Sequence, residues 1–338
     1  MASRTRIDSY TNGCALPDVT EKPESRSGIF AFNRLTPLFL LALVVAAYIG
    51  GRPLLGRSFP LTISGEAAIT IDAGTGDTLT SKRADTLVYP ASLTKLMTSL
   101  LLAENHLPGD LMTCSQTASL QEPTKLGIEP GSIMTAAAAM DALLVGSAND
   151  VAYMVAEDVG GTARDFVAMM NAKAKQLGML HTNFVTPTGL HDQNHYSTAG
   201  DLAALFKAAL DNPWVAKSLG KAEVTVTVSA PPHSGADPDS ISEGQSQESS
   251  AGAAIPASTN PSTFTLANTN PLLGKNGCIA GKTGFTAAAG KCLAGLFEKD
   301  GQRIIAVVLK SPSDDALADD METIVRAARQ ELESSRTD

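Results

Sequence analysis

Hydrophobic and polar positions change register three times along the chain, and each regime predicts different structure. Residues 35–51, LTPLFLLALVVAAYIGG, form an uncharged and mostly apolar run of 17 residues between Arg34 and Arg52. A signal-peptide core needs about 7 to 15 such residues and a membrane-spanning helix about 17 to 25. The densest part, 39–49, suits a signal peptide. The long segment 1–34 before it, and the lack of an Ala-x-Ala cleavage site after it, suit an uncleaved anchor. Lys22, Arg26 and Arg34 precede the run, while Arg52 and Arg57 follow it. This places 1–34 in the cytoplasm and 58–338 outside, at the inner (cytoplasmic) membrane, in the periplasm or extracellular space.

From Glu66 the pattern becomes globular. AAITID alternates as a strand, AGTGD follows as a turn, and TLTSKRA can return as a second strand. After Pro90, Leu93, Leu96, Met97, Leu100 and Leu101 share one helical face. Residues 136–178 read as helices broken near Gly146 and Gly160-Gly161. Residues 179–199 contain Pro187, Gly189, Asp192 and Asn194, and read as a long ordered loop. A short amphipathic helix follows at 201–210, then an exposed strand marked by Val224, Val226 and Val228.

The third regime is compositional. Residues 230–262 are rich in Ser, Ala, Pro, Gly and acidic side chains and contain no aromatic residue. Such a stretch cannot bury enough apolar surface to order itself, so it reads as a disordered insertion between two strands. The second of these strands resumes at Phe264-Thr265-Leu266. Further strands are expected at 278–284, 291–297 and 303–309, and a last helix at 315–333. Early strands, a block of helices, several antiparallel strands and a closing helix make an α+β domain.

Charge and cysteine usage narrow the function. The chain is 43% hydrophobic and 18% charged, enough for a sizeable core, and its formal net charge of -9 argues against a nucleic-acid partner. Four cysteines without a CxxC pair make neither a disulfide scaffold nor a structural zinc site. What remains is an enzyme or a binding domain.

Three short motifs carry candidate chemistry. Ser92-Leu93-Thr94-Lys95 opens the helix after Pro90, where residues three apart share a face and hydroxyl can meet amine. A serine hydroxyl needs a base, and a lysine serves once burial and a neighbouring cation depress its pKa. Ser-x-x-Lys is not specific alone, because Ser218 and Lys221 repeat it. Ser147-Ala148-Asn149 lies at a break between helices, where an ordinary helix cap is the bland reading. Ser258-Thr259-Asn260 repeats that spacing. Lys282-Thr283-Gly284 lies on a strand and occurs once.

Their joint occurrence, in this order, is the serine acyl-transferase set of penicillin-binding proteins and β-lactamases. With the flanks YPASLTKLMT, GSANDVA, TPTGLHDQNHYSTAGDLA and GKTGFTAAAGKCL, residues 66–330 apart from the insertion closely resemble the low-molecular-weight D-alanyl-D-alanine carboxypeptidases, serine peptidase family S11. The resemblance implies a β-lactamase/transpeptidase-like fold, with an antiparallel sheet packed against helices and a mostly helical subregion. It implies removal of the terminal D-Ala from peptidoglycan stem pentapeptides through an acyl-enzyme, with β-lactam antibiotics as inhibitors, and no cofactor or metal. Ser92 would be the nucleophile and Lys95 its base. Ser147, with Lys282, would pass a proton to the leaving amine. Asn149 would hold substrate backbone or help fix Lys95. Lys282 and Thr283 would bind the terminal carboxylate, and the amides of Ser92 and Phe285 would hold the oxyanion. Gly284 would let its strand pass close to the substrate.

Several readings stay open. Many relatives place an arginine after the strand that here reads IIAVVLK; this chain continues SPSDDALADD instead. The chain also ends before the C-terminal β-domain and amphipathic helix of several relatives, which would leave the N-terminal segment as the membrane tether. His181, His191 and His195 could suggest a metal, although the loop around them is rich in turn residues. Cys278 and Cys292 could face each other and form a disulfide in an oxidising compartment. Alternatives to the carboxypeptidase are a D,D-endopeptidase with the same residues, a β-lactamase, for which Glu157 is a poor water-positioning candidate, and a non-catalytic wall-binding scaffold.

Overall fold

A computed structural model describes residues 61–230 and 261–337, with side chains through Ser335. The segment 1–34, the apolar run 35–51 and residues 231–260 of the expected insertion lie outside the described residues. Among the described residues no helix is long and apolar enough to cross a membrane.

The frame is a five-stranded antiparallel sheet in the order β2-β1-β9-β8-β7. Its strands are β1 (Ala67–Asp72), β2 (Thr78–Lys82), β7 (Cys278–Thr286), β8 (Gly290–Lys299) and β9 (Gln302–Ser311). The central strands read as nearly continuous apolar runs because both faces are covered, and alternate side chains go to opposite layers. Ala68, Leu293, Phe297, Ala306 and Val308 meet Leu317, Met321, Ile324 and Val325 of the C-terminal helix α8 (Asp314–Thr337). Ala67, Ile69, Ile71, Leu296, Ile305 and Val307 enter the main core with the other helices.

That helical layer is built round α1 (Lys95–Asn105), in which every residue from Lys95 to Leu102 is buried. A helix buried on all sides forgoes the amphipathic pattern of a surface helix. It packs against α3 (Ala136–Leu144), α4 (Asn149–Gly160) and α6 (Ala199–Asp211). The short α2 (Gln116–Ser119), α5 (Ala163–Gln176) and α7 (Pro213–Leu219) complete the layer. The helix breaks fall at 145–148 and 161–162, beside the glycines that signalled them. Residues 179–198 form neither helix nor named strand and are tied down by the bridges Val88–Ser197 and Asn183–Tyr196.

Two expectations need correction, and one open reading is decided. Two strands were not foreseen, β3 (Leu111–Thr113) and β4 (Ile133–Thr135), which join the expected β5 (Glu223–Ser229) and β6 (Pro261–Ala267) in a second, four-stranded sheet. Strands of three residues are too short to display alternation. Residues 261 and 262, assigned above to the insertion, belong to β6, where Ser262 pairs with Val228 and Pro261 with Ser229. Cys278 and Cys292 do not form a disulfide. The β7–β8 register sets Cys278 opposite Phe297 and Cys292 opposite Gly284, and both thiols are free and buried.

Candidate active site

The segment between Pro90 and α1 is gripped from two sides. Residues Ala91–Thr94 form a single 3-10 turn, so Ser92 precedes the α-helix proper. Ala91 has φ 48°, a left-handed conformation rarely held by alanine. On one side β7 packs on this turn. A Cβ added to Gly284 would lie 2.9 Å from the Pro90 carbonyl oxygen and 3.1 Å from the Ser92 nitrogen. The close approach that requires glycine here is therefore to the Ser92 turn itself, where the sequence suggested an approach to substrate. On the other side Gly189, at φ +82°, would drive a Cβ into the Ala91 carbonyl.

Lys95 is fully buried with three partners. Its Nζ lies 2.9 Å from Ser92 Oγ, 2.7 Å from Asn149 Oδ1 and 2.8 Å from the Thr188 carbonyl oxygen. Asn149 Nδ2 donates to the Glu122 carbonyl, which fixes its amide with the oxygen facing Lys95. Asn149 Oδ1 and Thr188 O can only accept, whereas a serine hydroxyl can donate. A neutral Lys95 therefore spends both N–H bonds on these two oxygens and aims its lone pair at the Ser92 hydroxyl. Burial pushes Lys95 well below the ordinary lysine value, the charge of Lys282 pushes the same way, and Asp150 opposes both.

The loop carrying Ser147 and Asn149 enters α4 without a side-chain cap; the N-cap is Ala148. Neither Ser147 nor Asn149 is spent on capping, while Asp150 Oδ1 accepts from the Val151 N–H in the first turn. Ser147 takes φ 59°. Asp150 accepts from the backbone N–H of Leu126 and Gly127, tying that neighbouring loop to the start of α4.

Strand β7 forms the opposite wall. Lys282 is fully buried and donates to Ser147 Oγ and to the Thr283 carbonyl, each at 3.0 Å. Burial lowers it to about 7. Thr283 Oγ1 lies 2.6 Å from Thr269 Oγ1. Phe285 is 59% exposed, with the Lys291 ammonium 4.5 Å from its ring centroid. Ser92, Ser147, Thr283, Gly284, Phe285 and Lys291 line a cleft of about 560 Å³. An adjoining cleft of about 220 Å³ runs past Asn149, Thr188 and Leu190. All eight residues singled out from the sequence meet at these two clefts or directly behind them.

Sequence reasoning did not single out Thr188, Thr269, Lys291 or Asp314. Thr188 acts through a backbone carbonyl, which carries no side-chain signature. His195, weighed above only as a metal ligand, is a strut. Its Nδ1 accepts from the Val185 and Thr186 N–H groups at 3.2 and 3.3 Å, so Nε2 carries the proton, 2.8 Å from Thr94 Oγ1. Burial lowers it to about 4.

The D-alanyl-D-alanine carboxypeptidase family, Peptidase S11, matches residues 56–231 and 240–313. The chain is similar to the D-alanyl-D-alanine carboxypeptidase DacF of Bacillus subtilis, with 31% identity over 258 residues, 75% of this chain and 59% of that one. It is also similar to a D-alanyl-D-alanine endopeptidase of Pseudomonas aeruginosa, 31% identical and covering 77% of each chain. Among solved structures, the carboxypeptidase DacD of Francisella tularensis superposes with a TM-score of 0.68 at 26% identity, over 83% of this chain and 74% of that one. The chain thus spans about three-fifths of the Bacillus subtilis protein.

Proposed function

This chain belongs to the D-alanyl-D-alanine carboxypeptidase family, and from that premise we propose that it is a serine D,D-carboxypeptidase acting on peptidoglycan stem peptides. The observation that carries this reading is the Lys95 environment: two obligate acceptors leave its lone pair directed at Ser92.

The chemistry runs as a two-step acyl transfer. Ser92 Oγ attacks the penultimate D-Ala carbonyl while its proton passes to neutral Lys95. The amides of Ser92 and Phe285 hold the oxyanion, a kind of contact worth about 3 kcal/mol in the transition state. The C–N bond then breaks, and the leaving D-Ala nitrogen takes up a proton relayed through Ser147 as Lys95 gives up the one it received and becomes neutral again; Lys282, bonded to Ser147, stays charged. Water enters, gives a proton to Lys95 and attacks the ester carbonyl. The Ser92–carbonyl bond breaks and Oγ recovers a proton. Charged Lys282 and Thr283 hold the terminal carboxylate, which is what restricts the enzyme to chain ends.

Glu157 supports hydrolysis of peptide over rapid turnover of β-lactam. It lies eight residues beyond Asn149 on α4, roughly two turns away, and accepts from Ser115. β-Lactams would therefore acylate Ser92 and persist as inhibitors. The likeness to an endopeptidase of equal coverage favours D,D-endopeptidase action as the second reading. The apolar run 35–51 supports a membrane tether with the catalytic domain, 58–338, in the periplasm or outside the cell.

Intact mass after benzylpenicillin tests the proposal. The full chain should gain one persistent drug mass, and Ser92→Ala should gain none. Consumption of drug without an adduct would instead mark a β-lactamase, and unconsumed drug without an adduct would favour the scaffold.

A further inference from the structure

We infer that Lys291 is a specificity-determining residue of the cleft, a second ammonium that reads the substrate's terminal carboxylate alongside Lys282 and Thr283, with Asp314 holding it until substrate displaces that side chain. The inference rests on the carboxypeptidase reading above and adds a group to its carboxylate recognition.

Three observations carry it. First, Lys291 stands directly opposite Phe285 in the β7–β8 register, and its Nζ lies 4.5 Å from the centre of that exposed ring. The ring face attracts the cation, so the charge is kept against the cleft wall, where a surface lysine would otherwise reach into water. Second, the cleft has no other accessible cation among its described lining residues. Lys95 is enclosed behind Ser92. Lys282 is fully buried and bonded to Ser147 and the Thr283 carbonyl. Third, the segment after β9, SPSDDALADD, brings Asp314 and no arginine to the lining of the cleft. Asp320, in the same segment, is engaged with the Ser64 and Gly65 amides.

Asp314 Oδ2 sits 2.7 Å from Lys291 Nζ, and both residues line the cleft. A carboxylate bonded to this ammonium shows what kind of group the position accepts. Asp314 is 66% exposed and Lys291 27% exposed, so the pair is solvent-screened and weak. A substrate carboxylate that also bonds Thr283 and Lys282 can displace Asp314 at little cost. Asp314 then acts as a competitor, and its removal should strengthen binding of the acid substrate.

This opposition separates the inference from a purely structural ion pair. The experiment compares two peptides ending in D-Ala-D-Ala, one with a free carboxylate and one with a terminal amide, on the full chain. Lys291→Met should raise KM for the acid peptide about tenfold, as expected for losing a charge-assisted contact. It should leave the amide peptide nearly unchanged, and Lys291→Arg should restore the preference. Asp314→Asn should lower KM for the acid peptide by about two- to threefold, the scale of an exposed pair. If both variants move KM in the same direction, or affect acid and amide equally, Lys291 is only a structural partner and the inference falls. If the wild-type chain releases neither D-Ala from the acid peptide nor D-alaninamide from the amide peptide while Ser92 still acylates, the carboxypeptidase reading fails, and the inference with it.

Discussion

The two walls of the cleft differ in how completely they satisfy themselves. The helical wall is closed: Lys95 bonds Ser92, Asn149 and Thr188, Asn149 bonds Glu122, and His195 locks Thr94 to the 185–186 loop. The strand wall is half open, with Phe285 exposed and Lys291 paired only to an exposed carboxylate. Closed polar networks in low dielectric hold groups in one geometry and shift their pKa values. Open ones exchange partners. On the proposed mechanism, the helical wall makes and breaks bonds and the strand wall chooses what is bound.

The sharpest way to break that division is on the helical wall. Ser92→Ala and Lys95→Met should each reduce kcat by about 10⁴-fold or more, and the double variant should be little worse, because the two act as one unit. Steady-state rates on the acid peptide check this. Full additivity would mean that Lys95 does not act through Ser92.

Lys282 links the two walls, and pH reads the link. Lys95 must be neutral to take the Ser92 proton, so kcat/KM falls as pH drops through its lowered pKa. Lys282 must be charged to hold the carboxylate, so kcat/KM falls again as pH rises through about 7. The free enzyme's values govern this profile. Lys282→Met should cost about 100-fold in kcat/KM, as for a buried charge-assisted contact, and remove the alkaline limb. The acid limb should move to higher pH, because the Lys282 charge no longer depresses Lys95. An unmoved acid limb would uncouple the lysines.

Gly284→Ala is a smaller disturbance that reaches both walls. The added methyl would press on the Pro90 carbonyl and the Ser92 nitrogen, neither of which is a flexible side-chain end. Overpacking of this kind costs about 1 to 3 kcal/mol. Acylation by benzylpenicillin should slow about tenfold or more through displaced Ser92, on the same scale, while the KM change stays minor.

How much of this was legible follows from where each contact is carried. Ser92 with Lys95, Ser147 with Asn149, and Lys282 are candidate side chains that the sequence displays in three short motifs, although 135 residues separate Ser147 from Lys282. The five-stranded sheet was legible because its long strands bury alternate residues in two layers. The four-stranded sheet was half legible: β5 and β6 were expected, whereas Leu111–Thr113 and Ile133–Thr135 each show too few positions to reveal a period. Thr188 contributes a carbonyl, which any residue could supply. Lys291 and Asp314 are 23 residues apart and meet only through the β8–β9 and β9–α8 packing. His195 was visible as a residue type but not as a strut, because its role depends on which backbone amides face its ring.

His195 gives the smallest effect and the cleanest sign. Its folded pKa of about 4 lies below the ordinary 6.5, so the neutral ring is the buried form and the unfolded chain protonates first as pH falls. Stability is therefore whole above about pH 6.5 and is lost progressively down to about 4. At pH 5.5 the loss relative to pH 7.5 is on the order of 1 kcal/mol. His195→Gln keeps a donor for Thr94 and an acceptor for the loop amides but does not titrate. Urea midpoints should then show a variant slightly less stable than wild type at pH 7.5, with a narrower gap or a reversed order at pH 5.5. A gap that stays constant between the two pH values would mean that this part of the helical wall tolerates a charged ring, and that the wall is less closed than its hydrogen bonds indicate.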